Sequence, residues 1–272
     1  EWMVASFREA LLDRGRGPSE LGAALAANNS TPRVNLVARP GLISPAELAA
    51  EVEEVLQRNT SQGDLSEYAV IIDGGDPGAL PSVRDGRAAV QDEGSQFAAL
   101  LLAAAPLEGT DTNWLDLCAG PGGKSALLGA LAAQRGAHVV ANEVSEHRAR
   151  LVQRSVQALE NVTVINRDGR TLAAPGGQLF DRVLVDAPCS GLGSLRRRPE
   201  SRWRRTRQEL AELTPLQRGL FERGWQLTRP GGVLAWVTCT PQVEETLALI
   251  KWALDSAPLT LIDTPQVAES LA

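Results

Sequence analysis

Two cysteines in this sequence stand where thiols can do chemistry. Cys189 lies in Asp186-Ala187-Pro188-Cys189-Ser190-Gly191 and Cys239 in Val237-Thr238-Cys239-Thr240-Pro241, each just after a short apolar run that reads as a strand. A thiolate adds readily to an electron-poor ring carbon, and a carboxylate such as Asp186 can steady charge or hold a proton beside it. Two thiols at the ends of neighbouring strands, one near a carboxylate, therefore suggest covalent catalysis rather than cross-linking. The only other cysteine is Cys118. An odd, sparse set without CxxC spacing favours neither a disulfide framework nor a structural metal.

Cys118 belongs to a second motif, Asp116-Leu117-Cys118-Ala119-Gly120-Pro121-Gly122-Gly123-Lys124-Ser125, which runs from a strand into a helix through a glycine-rich turn. Glycine lets backbone approach a ligand closely, and a helix start offers N–H donors. Three nucleotide readings compete. A phosphate-binding GxxxxGK[ST] loop has Cys118 at its first glycine position, and a GxGxxG dinucleotide turn has Ser125 at its third. The remaining candidate is S-adenosylmethionine, with Glu143 at the end of the next strand suited to the ribose hydroxyls and Asp168, after the third strand, to the adenine amino group.

These residues need a scaffold, and the sequence supplies alternation. Short apolar strands are predicted at Asn113 to Leu117, His138 to Asn142, Val162 to Asn166, Arg182 to Val185 and Val233 to Val237, with helical patterns between successive members. Such alternation gives a parallel sheet with helices on both faces, an α/β Rossmann-like fold whose ligands bind beyond the carboxyl ends of the strands. Asp116, Cys118, Glu143, Asp168, Asp186 and Cys239 are then gathered along one edge. Upstream, residues 1–32 read as a helical linker. Residues 33–90 read as a small α/β module with strands at 34–37 and 68–72 and a helix at 46–57 opened by Ser44, Pro45 and Glu47. Residues 91–272 form the main domain, beginning with a helix near 97–105.

With 272 residues and 43% hydrophobic content, the chain can bury a sizeable core. No run of about 18 apolar residues and no leader pattern is present, so a soluble, cytoplasmic protein without membrane or metal partners is expected. The net charge of −6 opposes nucleic-acid binding on average. Between Arg196 and Arg207, however, seven arginines face one acid, Glu200, a local charge of 7 − 1 = +6. Arg196, Arg197, Arg198, Arg202, Arg204 and Arg205 are the candidate phosphate contacts. Trp203, inside this run, is expected to pack in the core rather than stack on a base. His138 and His147 are read as structural.

Together, Leu117 to Lys124, Asp186 to Gly191, Arg198-Pro199-Glu200 with Trp203, and Thr238-Cys239-Thr240-Pro241 with Glu244-Glu245 resemble the Sun/Nop family of RNA cytosine-5 methyltransferases. The likeness runs from about Arg33 to Leu254 and includes Gln91-Asp92 with Gln96. It implies an S-adenosylmethionine-dependent methyltransferase domain preceded by an RNA-recognition-like module. By resemblance, Cys118, Ala119, Gly120, Pro121, Gly122, Gly123, Lys124, Glu143, Asp168 and Asp186 bind the cofactor or line its pocket. Cys239 is implied to attack carbon 6 of cytosine and Cys189 to assist release. Asp186 with Lys124 is implied to steady charge on the ring at nitrogen 3 and oxygen 2. DNA cytosine-5 methyltransferases have a Pro-Cys nucleophile but no second cysteine like Cys239. The chain departs from the common pattern at Gly120, Glu143 and Thr240, where Ala, Asp and Ser are frequent.

The resemblance further implies a monomer acting on 16S ribosomal RNA, with tRNA or another RNA, or a non-catalytic assembly role, as alternatives. A nucleotide hydrolase built on Lys124-Ser125 is the reading from another class. Family proportions also lead one to expect truncation at both ends, with a helical RNA-binding domain missing before residue 1 and a closing strand pair missing after Ile262, leaving a sheet edge open.

Overall fold

The computed structural model describes residues 1–271. In chain order the elements are α1 (Trp2–Leu12), α2 (Glu20–Ala27), β1 (Val34–Ala38), α3 (Pro45–Leu56), β2 (Thr60–Gln62), β3 (Ala69–Ile72), α4 (Pro81–Arg84), β4 (Ala88–Val90), α5 (Glu93–Ala104), β5 (Asn113–Asp116), α6 (Gly123–Ala133), β6 (His138–Asn142), α7 (Glu146–Ser155), β7 (Val162–Ile165), β8 (Phe180–Asp186), α8 (Ser201–Arg204), α9 (Arg207–Leu227), β9 (Thr228–Val237), α10 (Leu247–Ser256) and α11 (Thr264–Glu269). Two compact units are formed. One comprises Arg33–Asp186, Arg223–Ala235 and the residues from Asp263 on; the other comprises Glu1–Pro32, Ala187–Glu222 and Trp236–Ile262.

In the larger unit, residues 33–90 make an antiparallel sheet of order β2-β3-β1-β4. Helix α3 starts where the sequence predicts, because Ser44 and Glu47 cap each other reciprocally and Pro45 occupies the first turn. It stops at Gln57, whose φ of 53° is left-handed. Leu36, Leu48, Val52, Val70, Ile72 and Leu80 form the core of this sheet and its helix. Strands β2 and β4 were not predictable from pattern: each has three residues, and Thr60–Gln62 carries no apolar alternation.

The second sheet has the order β7-β6-β5-β8-β9, with β5, β6, β7 and β8 parallel. Chain order reverses beside β5, so its carboxyl end is the switch point where such sheets bind ligands. Leu115, Val139, Ala141, Val183 and Leu184 are fully buried, and Ala126 and Ala130 of α6 pack with Val152 and Val156 from α7 and the residue after it. The opposite ends of the strands are tied by Asp181, which accepts from the backbone N–H groups of Thr112 and Asn113 and from Thr110 Oγ1 and pairs with Arg229. Strand β9 begins at Thr228, five residues before the prediction. The prolyl-glycyl stretch hid it, yet Gly231 O accepts from Glu108 N–H there. β9 is an edge strand of the described sheet.

The smaller unit packs α1 and α2 around Phe7, Leu192 and Leu195, with Trp2, Met3, Leu21 and Leu25 completing the cluster. Phe221 meets Trp236 and Trp252 edge-on, at centroid separations of 5.9 and 6.2 Å. Among the described residues no helix is long and apolar enough to cross a membrane.

Candidate active site: a glycine turn and a thiol pair

The turn between β5 and α6 lies in the larger unit. Gly122 has a φ of 111°, and no side chain caps the start of α6, so the first-turn N–H groups have no capping side chain. The Glu143 carboxylate, 3% exposed, accepts from Gly120 N–H at 3.0 Å and from Ser145 N–H at 2.9 Å. Arg148 approaches the same carboxylate at 3.5 Å and donates to Gly120 O. A side chain at Gly120 would fill this cradle, since a Cβ there would meet Glu143 Oε2 at 2.3 Å.

Lys124, on the first turn of α6, donates to Asp186 Oδ2 at 2.7 Å and to Ser95 Oγ at 3.2 Å. The structure thus brings together Gly120, Glu143, Lys124 and Asp186 as the sequence predicts. Asp116 is buried beneath them: its Oδ2 accepts from Ser125 Oγ at 2.6 Å and its Oδ1 has no protein partner. Burial, reinforced by the charge of Asp186, pushes its carboxyl up to about 7. Burial likewise raises the Cys118 thiol well above its ordinary range, so Cys118 is an inert neutral group of the turn. Asp168 caps a short 3-10 turn and grips Arg170 bidentately, which lowers its pKa. His138 Nε2 sits 3.0 Å from Thr163 Oγ1, in keeping with a structural part, and His147 is exposed on α7.

In the smaller unit the two remaining thiols meet: Cys189 Sγ and Cys239 Sγ are 3.3 Å apart. A disulfide requires about 2.04 Å, so this is a thiol hydrogen bond. Cys239 is exposed and Cys189 half-buried. The hydrogen bond to Cys239, then burial, push the Cys189 thiol far up. Gly193 N–H donates to Cys239 O at 2.9 Å, which docks the two loops at their backbones. Sequence reasoning missed what surrounds the pair: Ser190, Thr240, Gln217 and Glu245 form one hydrogen-bonded cluster. Adjacent acids after Thr-Cys-Thr-Pro were the only signal; Gln217 gave none. Arg148 was missed for the same reason, as one cation among several on α7.

The arginine run divides by partner. Arg202 donates to Asn28 O at 2.9 Å and Asn29 Oδ1 at 2.7 Å, and Arg205 lies 3.7 Å from Glu209, while Arg196, Arg198 and Arg204 are exposed and Arg197 is half-buried. The expectation that Trp203 packs in the core is corrected: it is 79% exposed. Helix α8 is only one turn long, and Arg202 is the residue that anchors it, so Trp203 is turned outward.

Comparison with known proteins places these features. Residues 101–271 match the family model of the 16S rRNA methyltransferase RsmB/F. Rv1407 of Mycobacterium tuberculosis is 48% identical over 98% of this chain and 56% of its own length. The ribosomal RNA small subunit methyltransferase B of Salmonella paratyphi B is 40% identical over 66% of this chain and 41% of its own. The chain thus spans about half the length of the curated relatives it matches. In structure it resembles NSun6 from Pyrococcus horikoshii, solved with SFG, at a TM-score of 0.76 and 18% identity, over 93% of this chain and 86% of that one. By its matched residues and its relatives, the chain belongs to the RsmB/F family of 16S rRNA methyltransferases.

Proposed function

We propose that this chain methylates carbon 5 of a cytosine in RNA, with 16S ribosomal RNA as the substrate, through a covalent bond from Cys239 to carbon 6. The observation that carries this reading is the 3.3 Å contact between an exposed Cys239 and a half-buried Cys189 whose thiol that contact pushes up. An exposed thiol to attack and a neighbouring thiol through which a proton can pass match the two demands of the reaction.

S-adenosylmethionine is the cofactor of this family, and it supplies an electrophilic methyl group. The turn of residues 118–124 fits such a ligand: first-turn N–H donors and a buried Glu143 carboxylate offer partners to an adenosine and an amino acid.

In the target ring, carbon 5 is a poor nucleophile until aromaticity is broken. Addition of the Cys239 thiolate to carbon 6 breaks it, and electron density moves onto carbon 5, nitrogen 3 and oxygen 2. Asp186 and Lys124, already joined by a proton-bearing hydrogen bond, are the groups to steady that charge. Loss of the carbon 5 proton, with Cys189 either acting as base after its own proton has left to solvent or relaying the proton onward, and departure of the Cys239 thiolate then restore the ring. A paired cytosine is out of reach of such groups, so the target is single-stranded or flipped out. Exposed Arg196, Arg198 and Arg204 are suited to its phosphates, and Trp203 to stacking on a base.

The test is incubation with S-adenosylmethionine and transcribed 16S RNA, followed by nucleoside mass spectrometry. The expected product is 5-methylcytosine; methylation at another atom, or tight ATP binding in place of S-adenosylmethionine, overturns the reading.

A further inference from the structure

Each cysteine of the thiol pair is followed by a hydroxyl residue, Ser190 after Cys189 and Thr240 after Cys239. Their oxygens are 2.8 Å apart. Glu245, fully buried, accepts from Ser190 N–H at 2.8 Å with one oxygen and from the Ser190 hydroxyl with the other. Gln217 Nε2 donates at 2.8 Å to both Glu245 Oε1 and Pro188 O, and Trp236 Nε1 donates at 3.1 Å to Glu245 O. Gln242 N–H donates to Thr240 Oγ1 at 3.2 Å; because the Ser190 hydroxyl points at the carboxylate, the Thr240 hydroxyl must point at Ser190. All the hydroxyl protons run toward Glu245.

On the reading that the pair is catalytic, we infer that Glu245 is a positioning residue: its buried carboxylate latches Ser190 to Thr240 and so sets the spacing of Cys189 and Cys239. Its effect passes through the backbones of the residues that follow them, and Gln217 extends the hold to Pro188 on the other side of Cys189. A glutamine at 245 can keep this latch, since its amide N–H can face the Ser190 oxygen while both hydroxyls reverse. An alanine cannot, and leaves Ser190 N–H and one N–H of the Gln217 amide without their acceptor, Gln217 keeping only Pro188 O.

The test measures spacing without RNA or cofactor. Diamide takes two electrons and two protons from the Cys189–Cys239 pair, and the rate of disulfide closure is read by mass spectrometry of the linked peptides. Glu245→Ala is expected to slow closure about tenfold, and Glu245→Gln no more than about threefold, as fits the loss or retention of one or two hydrogen bonds. In turnover, Glu245→Ala should lower kcat with the KM for RNA unchanged. Should Glu245→Ala fail to fold, Thr240→Val removes the hydroxyl link alone, and slowed closure is again expected. Closure rates within twofold of the parent for Glu245→Ala or Thr240→Val overturn the proposal, as does equal damage from the glutamine and alanine variants. Because closure needs no substrate, this result stands apart from whether the methylation reading holds.

Discussion

Cys189 Sγ lies 3.3 Å from Cys239 Sγ, with Cys239 the exposed member and Cys189 the one whose thiol is pushed up by their shared hydrogen bond. The two sulfurs are chemically alike, and their surroundings differ.

The two alanine substitutions should therefore differ in kind. Cys239→Ala is expected to abolish methyl transfer while leaving S-adenosylmethionine binding within about threefold. Cys189→Ala should instead accumulate covalently attached RNA, seen as a slow band on a denaturing gel. Persistent turnover in Cys239→Ala would remove it as nucleophile.

Cys189 also carries a pH prediction. The hydrogen bond to Cys239 is the first cause of its raised pKa, so in Cys239→Ala the pH at which iodoacetamide begins to alkylate Cys189 should move down. Burial remains as the second cause, so it should stay above that of an exposed thiol. An unchanged alkylation profile contradicts the coupling.

Asp116 makes stability fall as pH rises. Its carboxyl stands at about 7 in the fold against 3.8 for the ordinary group, so between these values the unfolded chain releases a proton that the folded chain keeps, and unfolding is favoured as pH increases. Asp116→Asn keeps an acceptor for Ser125 and cannot ionise. Its stability relative to the parent should rise from pH 4 to pH 7, by about 1 to 4 kcal/mol, as measured by urea titration; a constant difference across that range rejects the buried acid.

Lys124 and Asp186 have side-chain exposures of 13% and 30%. Replacing Lys124 with Met strands the Asp186 charge in a partly dry position. We expect a loss of about 1 to 2 kcal/mol, reduced from the fully buried case by solvent screening, with weaker S-adenosylmethionine binding by calorimetry. Neutral effects on both would separate Lys124 from the site.

Gly193 offers a purely steric test. A Cβ there would stand 3.0 Å from Cys239 O and 3.2 Å from its carbonyl carbon, both backbone atoms that cannot swing away. Gly193→Ala should displace Cys239, lowering kcat about tenfold and stability by about 1 to 3 kcal/mol. Unaltered kcat with a shifted Tm would mean that the strain is absorbed elsewhere.

Much of the fold was legible because the candidate motifs coincide with strong local signals. Ser44 with Pro45 and Glu47 announces α3, and the alternation from Asn113 onward announces the parallel sheet. Asp116 to Ser125 shows both the turn and its chemistry. What stayed hidden depends on contacts distant in sequence. Glu245 reaches Ser190 across 55 residues and Gln217 across 28, and neither distance leaves a periodic trace. Trp203 misled for a related reason: hydrophobicity argues burial, but a one-turn helix anchored by Arg202 leaves its neighbour no core to enter. Strands β2 and β4 were too short for alternation to register.

The hydrogen bond within the thiol pair also orders events in time. In the proposed chemistry Cys239 ends its attack as a thioether, which carries no negative charge to hold the Cys189 proton. The largest cause of the raised Cys189 pKa then disappears, and the base becomes available only once the nucleophile is committed. In that chemistry the pair would be an interlock, its release step disarmed until there is an adduct to release.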